Sequence, residues 1–215
     1  MAPHAARPFA GKIAWVTGSS RGIGRTIASH LASLGASVAV HGSSPASPCA
    51  FGEGTTLDAV AAEIAAETGS PTMAVCGDLT DAGRVHALAD EIRARWGRID
   101  ILVNCAGGDI GAQGTSAPNA GKPTHNDAVY ISVEDLRAVL DRNLLTCILA
   151  GREVAPEMME RRAGRIVTVG SIAGLFGHAE SAIYATAKAA VHEYSRCLAM
   201  ELRPYDVAVN VVAPG

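Results

Sequence analysis

Along the chain, short runs of apolar residues alternate with longer stretches in which apolar side chains recur every three or four positions. The runs Ile13–Thr17, Ser37–His41, Thr72–Cys76, Ile99–Asn104, Arg165–Gly170 and Val207–Val212 close on small or polar residues and predict strands. Their apolar character does not alternate cleanly, as expected for strands buried on both faces within a parallel sheet. The stretches Ile23–Leu34, Leu57–Thr68, Ala82–Trp96, Val133–Arg161 and Ser181–Arg203 predict the helices that cover it. Gly35, Gly69 and Gly97 stand where three helices should stop, and Ser132 with Asp135 forms a capping-box variant at the start of the fourth. The pattern predicts an α/β fold, a doubly wound parallel sheet in three αβα layers, forming a single domain over residues 1–215.

Two segments, Ser43–Thr56 and Gly108–Ile131, break this rhythm with Gly, Pro, Ser and Asn. Each follows the carboxyl end of a strand, where open α/β sheets place ligands, and the second is longer than most structureless loops. It is therefore expected to wall a substrate pocket, with a plain surface excursion as the alternative. The chain shows no internal repeat and no low-complexity tract.

Composition narrows the class. With 48% apolar and 18% charged residues among 215, the chain is too apolar to be disordered, and no run approaches the roughly 18 apolar residues of a membrane span. A net charge of -3 supplies no basic field for a polyanion, so neither nucleic acid nor a membrane is an expected partner. The five cysteines are odd in number and lack any CxxC spacing, which predicts reduced thiols, no metal site and a cytoplasmic location. Met1–Lys12 has no signal-peptide core and is expected to be a short polar tail.

The first candidate for chemistry is Thr17-Gly18-Ser19-Ser20-Arg21-Gly22-Ile23-Gly24, which joins the first strand to a helix. Gly18 suits a tight turn, Gly22 a close approach to a pyrophosphate and Gly24 close packing of helix on strand, while the helix N-terminus offers free N–H groups. The second strand ends in His41-Gly42-Ser43-Ser44, without the acidic residue that would bind an unphosphorylated ribose. Arg21, Ser43 and Ser44 instead suit a 2′-phosphate, which puts NADP(H) ahead of NAD(H). Ser171 follows the fifth strand, and Tyr184 and Lys188 lie one helical turn apart, about 6 Å on one face. There the ammonium, supplemented by an oxidised nicotinamide ring, is expected to draw the phenol pKa down from about 10 toward the range of a general acid or base. Taken singly, each feature also fits a structural turn, a solvated arginine or a surface pair.

In order, Thr17–Gly24, Asp78, Asn104-Cys105-Ala106-Gly107, Asn143, Ser171, Tyr184, Lys188 and Pro214-Gly215 resemble the short-chain dehydrogenase/reductase family in its simple form. The resemblance spans nearly the whole chain and is strongest to NADPH-dependent ketoreductases of the 3-oxoacyl-carrier-protein reductase kind. It implies that Tyr184 exchanges the hydroxyl proton, Ser171 positions the carbonyl, Lys188 binds ribose and tunes Tyr184, and Asn143 holds a water. It also implies cofactor contacts from Gly18, Ser20, Arg21, Gly22, Ile23, Gly24, Ser43, Ser44, Asp78, Leu79, Asn104, Ala106, Gly107, Tyr184, Lys188, Pro214 and Gly215. Hydride would pass between nicotinamide and a small-molecule ketone or secondary alcohol, in a homo-oligomer, dimer or tetramer.

Three features depart from the family pattern: Cys105 replaces an Asn, the 108–131 segment is long, and the sequence stops after the sixth strand, where relatives continue. The last leaves a second expectation, a dinucleotide-binding sensor or partner subunit with impaired catalysis. Sugar-nucleotide epimerases also use Tyr and Lys, but they would show TGxxGxxG and a larger carboxyl-terminal domain.

Overall fold

The computed structural model describes residues 7–215. Its strands are β1 (Ile13–Val16), β2 (Ser37–Gly42), β3 (Thr72–Cys76), β4 (Ile101–Asn104), β5 (Gly164–Val169) and β6 (Val207–Val212). Its α-helices are α1 (Gly22–Ser33), α2 (Leu57–Thr68), α3 (Ala82–Trp96), α4 (Val133–Leu140), α5 (Thr146–Arg161) and α6 (Ala182–Leu202). The strands form one sheet in the order β3-β2-β1-β4-β5-β6, every pair parallel, so the strand order reverses between β1 and β4. Alternation along each strand divides the core. Trp15, Leu102 and Ile166 pack with Leu88 and Ile92 of α3, Val154 and Met158 of α5 and Leu202 of α6. Val16, Val38, Val40 and Val103 pack with Ala28 and Ala32 of α1 and Val60 and Ile64 of α2 on the other face. This is the three-layer doubly wound fold that the apolar runs predict.

Local chemistry explains which predicted boundaries hold. α2 and α3 fall where expected because each begins on a side-chain cap and ends on a left-handed glycine. Thr56 Oγ1 accepts the Ala59 amide, Asp81 accepts those of Gly83 and Arg84, and Gly69 and Gly97 close the helices. β4 starts at Ile101 rather than Ile99 because the Asp100 carboxylate accepts the Ile13 amide at 2.9 Å, where a strand carbonyl would otherwise serve. Ser132 Oγ accepts the Asp135 amide at 3.0 Å, as a capping box requires, but the Asp135 carboxylate reaches the Ala112 amide instead of completing the box.

The single helix expected over Val133–Arg161 is broken by a π turn at Asp141–Leu145, which contains Asn143. The Ser43–Thr56 segment is not an open loop: Ser47–Gly52 forms a kinked pair of 3₁₀ turns. Nor is the amino-terminal end a loose tail over its described part, because the Phe9 amide donates to Leu34 O at 3.0 Å and Arg7 to Ser70 Oγ at 2.6 Å. Residues 1–6 of that expected tail lie outside the described residues. All five cysteines are free thiols, and no helix among the described residues is long and apolar enough to cross a membrane.

Candidate active site

The carboxyl ends of β1 and β4, at the point where strand order reverses, are tied together by one hydroxyl. Thr17 Oγ1 accepts the amides of Cys105 at 3.0 Å and Ala106 at 3.1 Å. Gly18 follows with φ +62, and a Cβ there would lie 2.7 Å from Ala106 Cα; a Cβ on Gly24 would collide with the Gly18 carbonyl. Only glycine permits this cradle, which opens on the N-terminus of α1.

His41, which the sequence marks only as a strand end, organises the cradle. Its Nδ1 accepts the Gly18 amide and its Nε2 donates to Gly77 O, both at 3.0 Å, while its own carbonyl accepts the amides of Ser19 and Ser20. Burial pushes the ring's pKa down to about 4, against smaller upward pulls from the Gly77 hydrogen bond and Asp78. The ring is therefore neutral near pH 7, the form its two partners require.

The surroundings of Arg21 correct one expectation. Its guanidinium donates to Ser47 O at 2.6 Å and lies 5.3 Å from the Phe51 ring centroid, while the Ser43 and Ser44 hydroxyls face Ser47 Oγ at 3.4 and 3.3 Å. The strand end lacks a carboxylate, but the segment after it brings one back: Glu53 Oε2 accepts the Gly22 amide at 2.7 Å. Burial lowers the Arg21 pKa and Glu53 opposes that shift. An acidic side chain thus stands at the helix N-terminus, a position that favours anions.

Asp78 is fixed in a turn by Thr80, and the nearby Arg142, which the sequence does not single out, has a buried Nε without a partner. Leu79 is buried in the core, so its main chain alone is available to a ligand, whereas Ile23 is exposed at the rim. Asn104 is buried with both side-chain polar atoms unpartnered. The glycine cradle, the helix N-terminus already holding a carboxylate and this orphaned amide together fit a dinucleotide.

The four residues expected to carry catalysis converge beside this cradle. Ser171, leaving β5, accepts the Ala173 amide on Oγ at 3.1 Å, and its side chain is near enough to the Tyr184 phenol to lower its pKa. Lys188 is buried, donates from Nζ to Val169 O at 2.9 Å and lies 5.7 Å from the Tyr184 ring centroid. Asn143 clasps Gly108: its Oδ1 accepts the Gly108 amide at 3.0 Å, and its Nδ2 donates to Gly108 O and Val139 O, both at 2.8 Å. A Cβ on Gly107 would sit 2.6 Å from Asn143 Oδ1 and 3.4 Å from Lys188 Nζ, so these two side chains meet at that glycine. The π turn that interrupts the predicted helix therefore carries a candidate site residue, Asn143. Pro214 O accepts the Ile172 amide at 3.0 Å, and Gly215 packs toward Ile172, bringing both against the Ser171 turn.

In the protein alone the phenol pKa is raised, and Lys188 is not among the groups that move it. Burial raises it, Ser171 pulls it back, and the Asp109 carboxylate raises it again, leaving it above the ordinary tyrosine value. Burial lowers the Lys188 pKa. His178 is exposed, its ring tilted against Phe176 with centroids 4.9 Å apart. His41, Glu53 and Asp109 take their positions from contacts far along the chain, and no local motif marks them or Arg142.

Comparison with known proteins matches residues 12–215 to the short chain dehydrogenase family model. The chain is 35% identical over 207 residues to the 3-oxoacyl-[acyl-carrier-protein] reductase FabG of Escherichia coli (strain K12), covering 96% of this chain and 74% of that protein. It is 38% identical over 213 residues to cyclohexanol dehydrogenase of Rhodococcus sp. (strain TK6), covering 97% and 75% respectively. The structure of NAD+-bound xylitol dehydrogenase superposes with a TM-score of 0.82 at 28% identity, covering 96% of this chain and 71% of that one.

Proposed function

The chain belongs to the short-chain dehydrogenase family, and we propose that it is an NADPH-dependent carbonyl reductase, reversible as an alcohol dehydrogenase. The observation that carries this reading is that Asn143 and Lys188 meet at Gly107, next to the glycine cradle, with Lys188 5.7 Å from the Tyr184 ring centroid and Ser171 acting on the Tyr184 phenol. When bound, a nicotinamide supplies the hydride or accepts it. Tyr184 gives its phenolic proton to the carbonyl oxygen during reduction and takes it back during oxidation. Ser171 holds the substrate oxygen, and Lys188 serves the ribose and stabilises the phenolate. Both Nδ2 hydrogens of Asn143 are engaged by the protein, so a relay water would use the remaining lone pair on Oδ1 or the main-chain carbonyl.

NADP(H) is favoured by Arg21, with Ser43 and Ser44 as hydroxyl partners for the 2′-phosphate and Arg142 as a second nearby cation. The chain acts on a small-molecule ketone or secondary alcohol, as the names of the reductase and the cyclohexanol dehydrogenase suggest for those relatives. We place it in the cytoplasm as a homo-oligomer, with the free thiols supporting the compartment and family membership the assembly. NADPH oxidation against a panel of carbonyl compounds, run beside a cofactor titration, tests the proposal. Turnover that disappears in Tyr184→Phe supports it, whereas tight NADPH binding with no carbonyl turned over would favour a sensor or partner subunit.

A further inference from the structure

One of the amides assigned to the cofactor is already taken by the protein's own carboxylate. Unlike α2 and α3, α1 has no cap close by in the sequence: Arg21 at its N-cap makes no side-chain cap bond, and its first turn holds no acidic residue. Glu53 supplies the partner from 31 residues away, its Oε2 accepting the Gly22 amide at 2.7 Å. Gly22 and Glu53 are both exposed, so a ligand arriving from solvent can reach this contact. A carboxylate and a phosphate want the same thing here, free N–H groups and the positive end of the helix dipole. They cannot share the single Gly22 hydrogen, and two anions held so close repel.

Glu53 ends a strap, Ser47–Glu53, that two arginines fasten to α1. Arg21 Nη1 donates to Ser47 O at 2.6 Å and its guanidinium lies 5.3 Å from the Phe51 ring centroid, while Arg25 Nη1 donates to Glu53 O at 2.7 Å. Phe51 and Gly52, just ahead of Glu53, have φ 66 and φ 71, and for a phenylalanine that conformation is strained. The Phe51 ring is more than half exposed, which leaves the contacts with α1 to offset the cost. Because Arg25 holds the Glu53 carbonyl, its guanidinium is within one side chain's reach of the Glu53 carboxylate, and it already pairs with Glu63 at 2.6 Å. The carboxylate therefore has two places to go, the Gly22 amide and Arg25.

We infer that Glu53 is a displaceable stand-in for the pyrophosphate of the dinucleotide. It caps α1 in the cofactor-free protein; cofactor binding takes over the Gly22 amide, sends the carboxylate to Arg25 and loosens the strap. The inference rests on the dinucleotide part of the proposed function and is independent of the carbonyl chemistry. It gives Glu53 two effects of opposite sign, because a contact that stabilises only the ligand-free form opposes binding.

Titration calorimetry of NADP+ and NAD+ into wild type and Glu53→Ala, beside thermal melts without cofactor, tests this. Glu53→Ala is expected to melt below wild type when empty, yet to bind both dinucleotides about fivefold or more tighter, since both carry the pyrophosphate. A cap with a purely structural role would lower stability and affinity together. Amide hydrogen exchange of wild type gives a second readout: saturating NADP+ should slow exchange over residues 18–24 and speed it severalfold over residues 47–56. An NAD+ affinity that is unchanged or weaker in Glu53→Ala, or strap exchange that fails to rise on cofactor binding, overturns the inference and leaves the dinucleotide reading standing. Failure of both proteins to bind either dinucleotide would overturn that reading and the inference together. Should Glu53→Ala not fold when empty, the wild-type exchange decides the matter.

Discussion

His192 Nε2 accepts the backbone amide of Ser171 at 3.3 Å, and a Cβ on the intervening Gly170 would collide with that same nitrogen. The ring sits against the turn that presents the Ser171 hydroxyl and serves as a positioning residue. Burial, then Arg196 and Lys188, lower its pKa, which keeps Nε2 free to accept at neutral pH. His192→Leu is expected to lower kcat about tenfold with little change in NADPH affinity, the value of one hydrogen bond that fixes geometry. His192→Gln, which keeps an acceptor, should recover most of the loss. Steady-state kinetics with both variants check this, and an unchanged kcat in His192→Leu would remove the ring from the site.

His41 predicts an acid-sensitive cradle. Its pKa is about 4 in the fold against 6.5 for the unperturbed ring, so the unfolded chain binds more protons between those values and stability rises with pH across that window. Acidification from pH 7 to 4 should remove about 3 kcal/mol through this residue. The contribution is complete above pH 6.5 and lost once the folded ring protonates near pH 4. Denaturant melts of wild type and His41→Asn at pH 7 and 4.5 check it. The variant should show the smaller fall in stability, and equal falls would mean that His41 titrates normally.

Much of this fold is legible because its information is local. The run Thr72–Cys76 and the helices Leu57–Thr68 and Ala82–Trp96 keep their predicted limits, since apolar periodicity and the caps Thr56 and Asp81 lie within a few residues of the elements they define. Tyr184 and Lys188 were legible for the same reason: helical geometry alone puts them on one face. The break at Asn143 was not legible, because the clasp beside it depends on Gly108, 35 residues away. Likewise Glu53 reaches Gly22 across 31 residues and Ser181 reaches Asp109 across 72, pairings that no local pattern announces. The two segments that broke the sequence rhythm turn out to hold the contacts that most change the picture of the site.

Tyr184 and Asp109 make a prediction about pH. In alcohol oxidation the phenol must lose its proton, so the rate should rise with pH toward a limb above the ordinary tyrosine value, while ketone reduction falls over the same range. Asp109→Asn removes one of the upward influences and should move that limb to lower pH. Tyr184→Phe should cut turnover by at least about 100-fold with NADPH binding nearly intact. Lys188→Ala should damage both binding and turnover, because its ammonium lies beside Gly107 as well as Tyr184. Full pH–rate profiles in both directions separate these effects, and an oxidative limb that stays in place in Asp109→Asn would detach that carboxylate from the phenol.

Arg21 and Glu53 set opposing terms for the cofactor. The guanidinium favours a 2′-phosphate, yet the Glu53 carboxylate already occupies the Gly22 amide at 2.7 Å, and like charges in so small a space repel. Arg21→Ala should therefore weaken NADP+ more than NAD+, by about tenfold for a lost charge-assisted hydrogen bond. Glu53→Gln should tighten NADP+ severalfold and leave NAD+ closer to its starting value, because the amide keeps an oxygen for Gly22 but gives up the charge. Both effects should shrink at high salt, since the Gly22–Glu53 contact is exposed. Titration calorimetry with NADP+ and NAD+ at two ionic strengths measures all of this without turnover. Equal affinities for the two cofactors in wild type, unchanged in Arg21→Ala, would mean that the phosphate preference does not lie at the Arg21 turn.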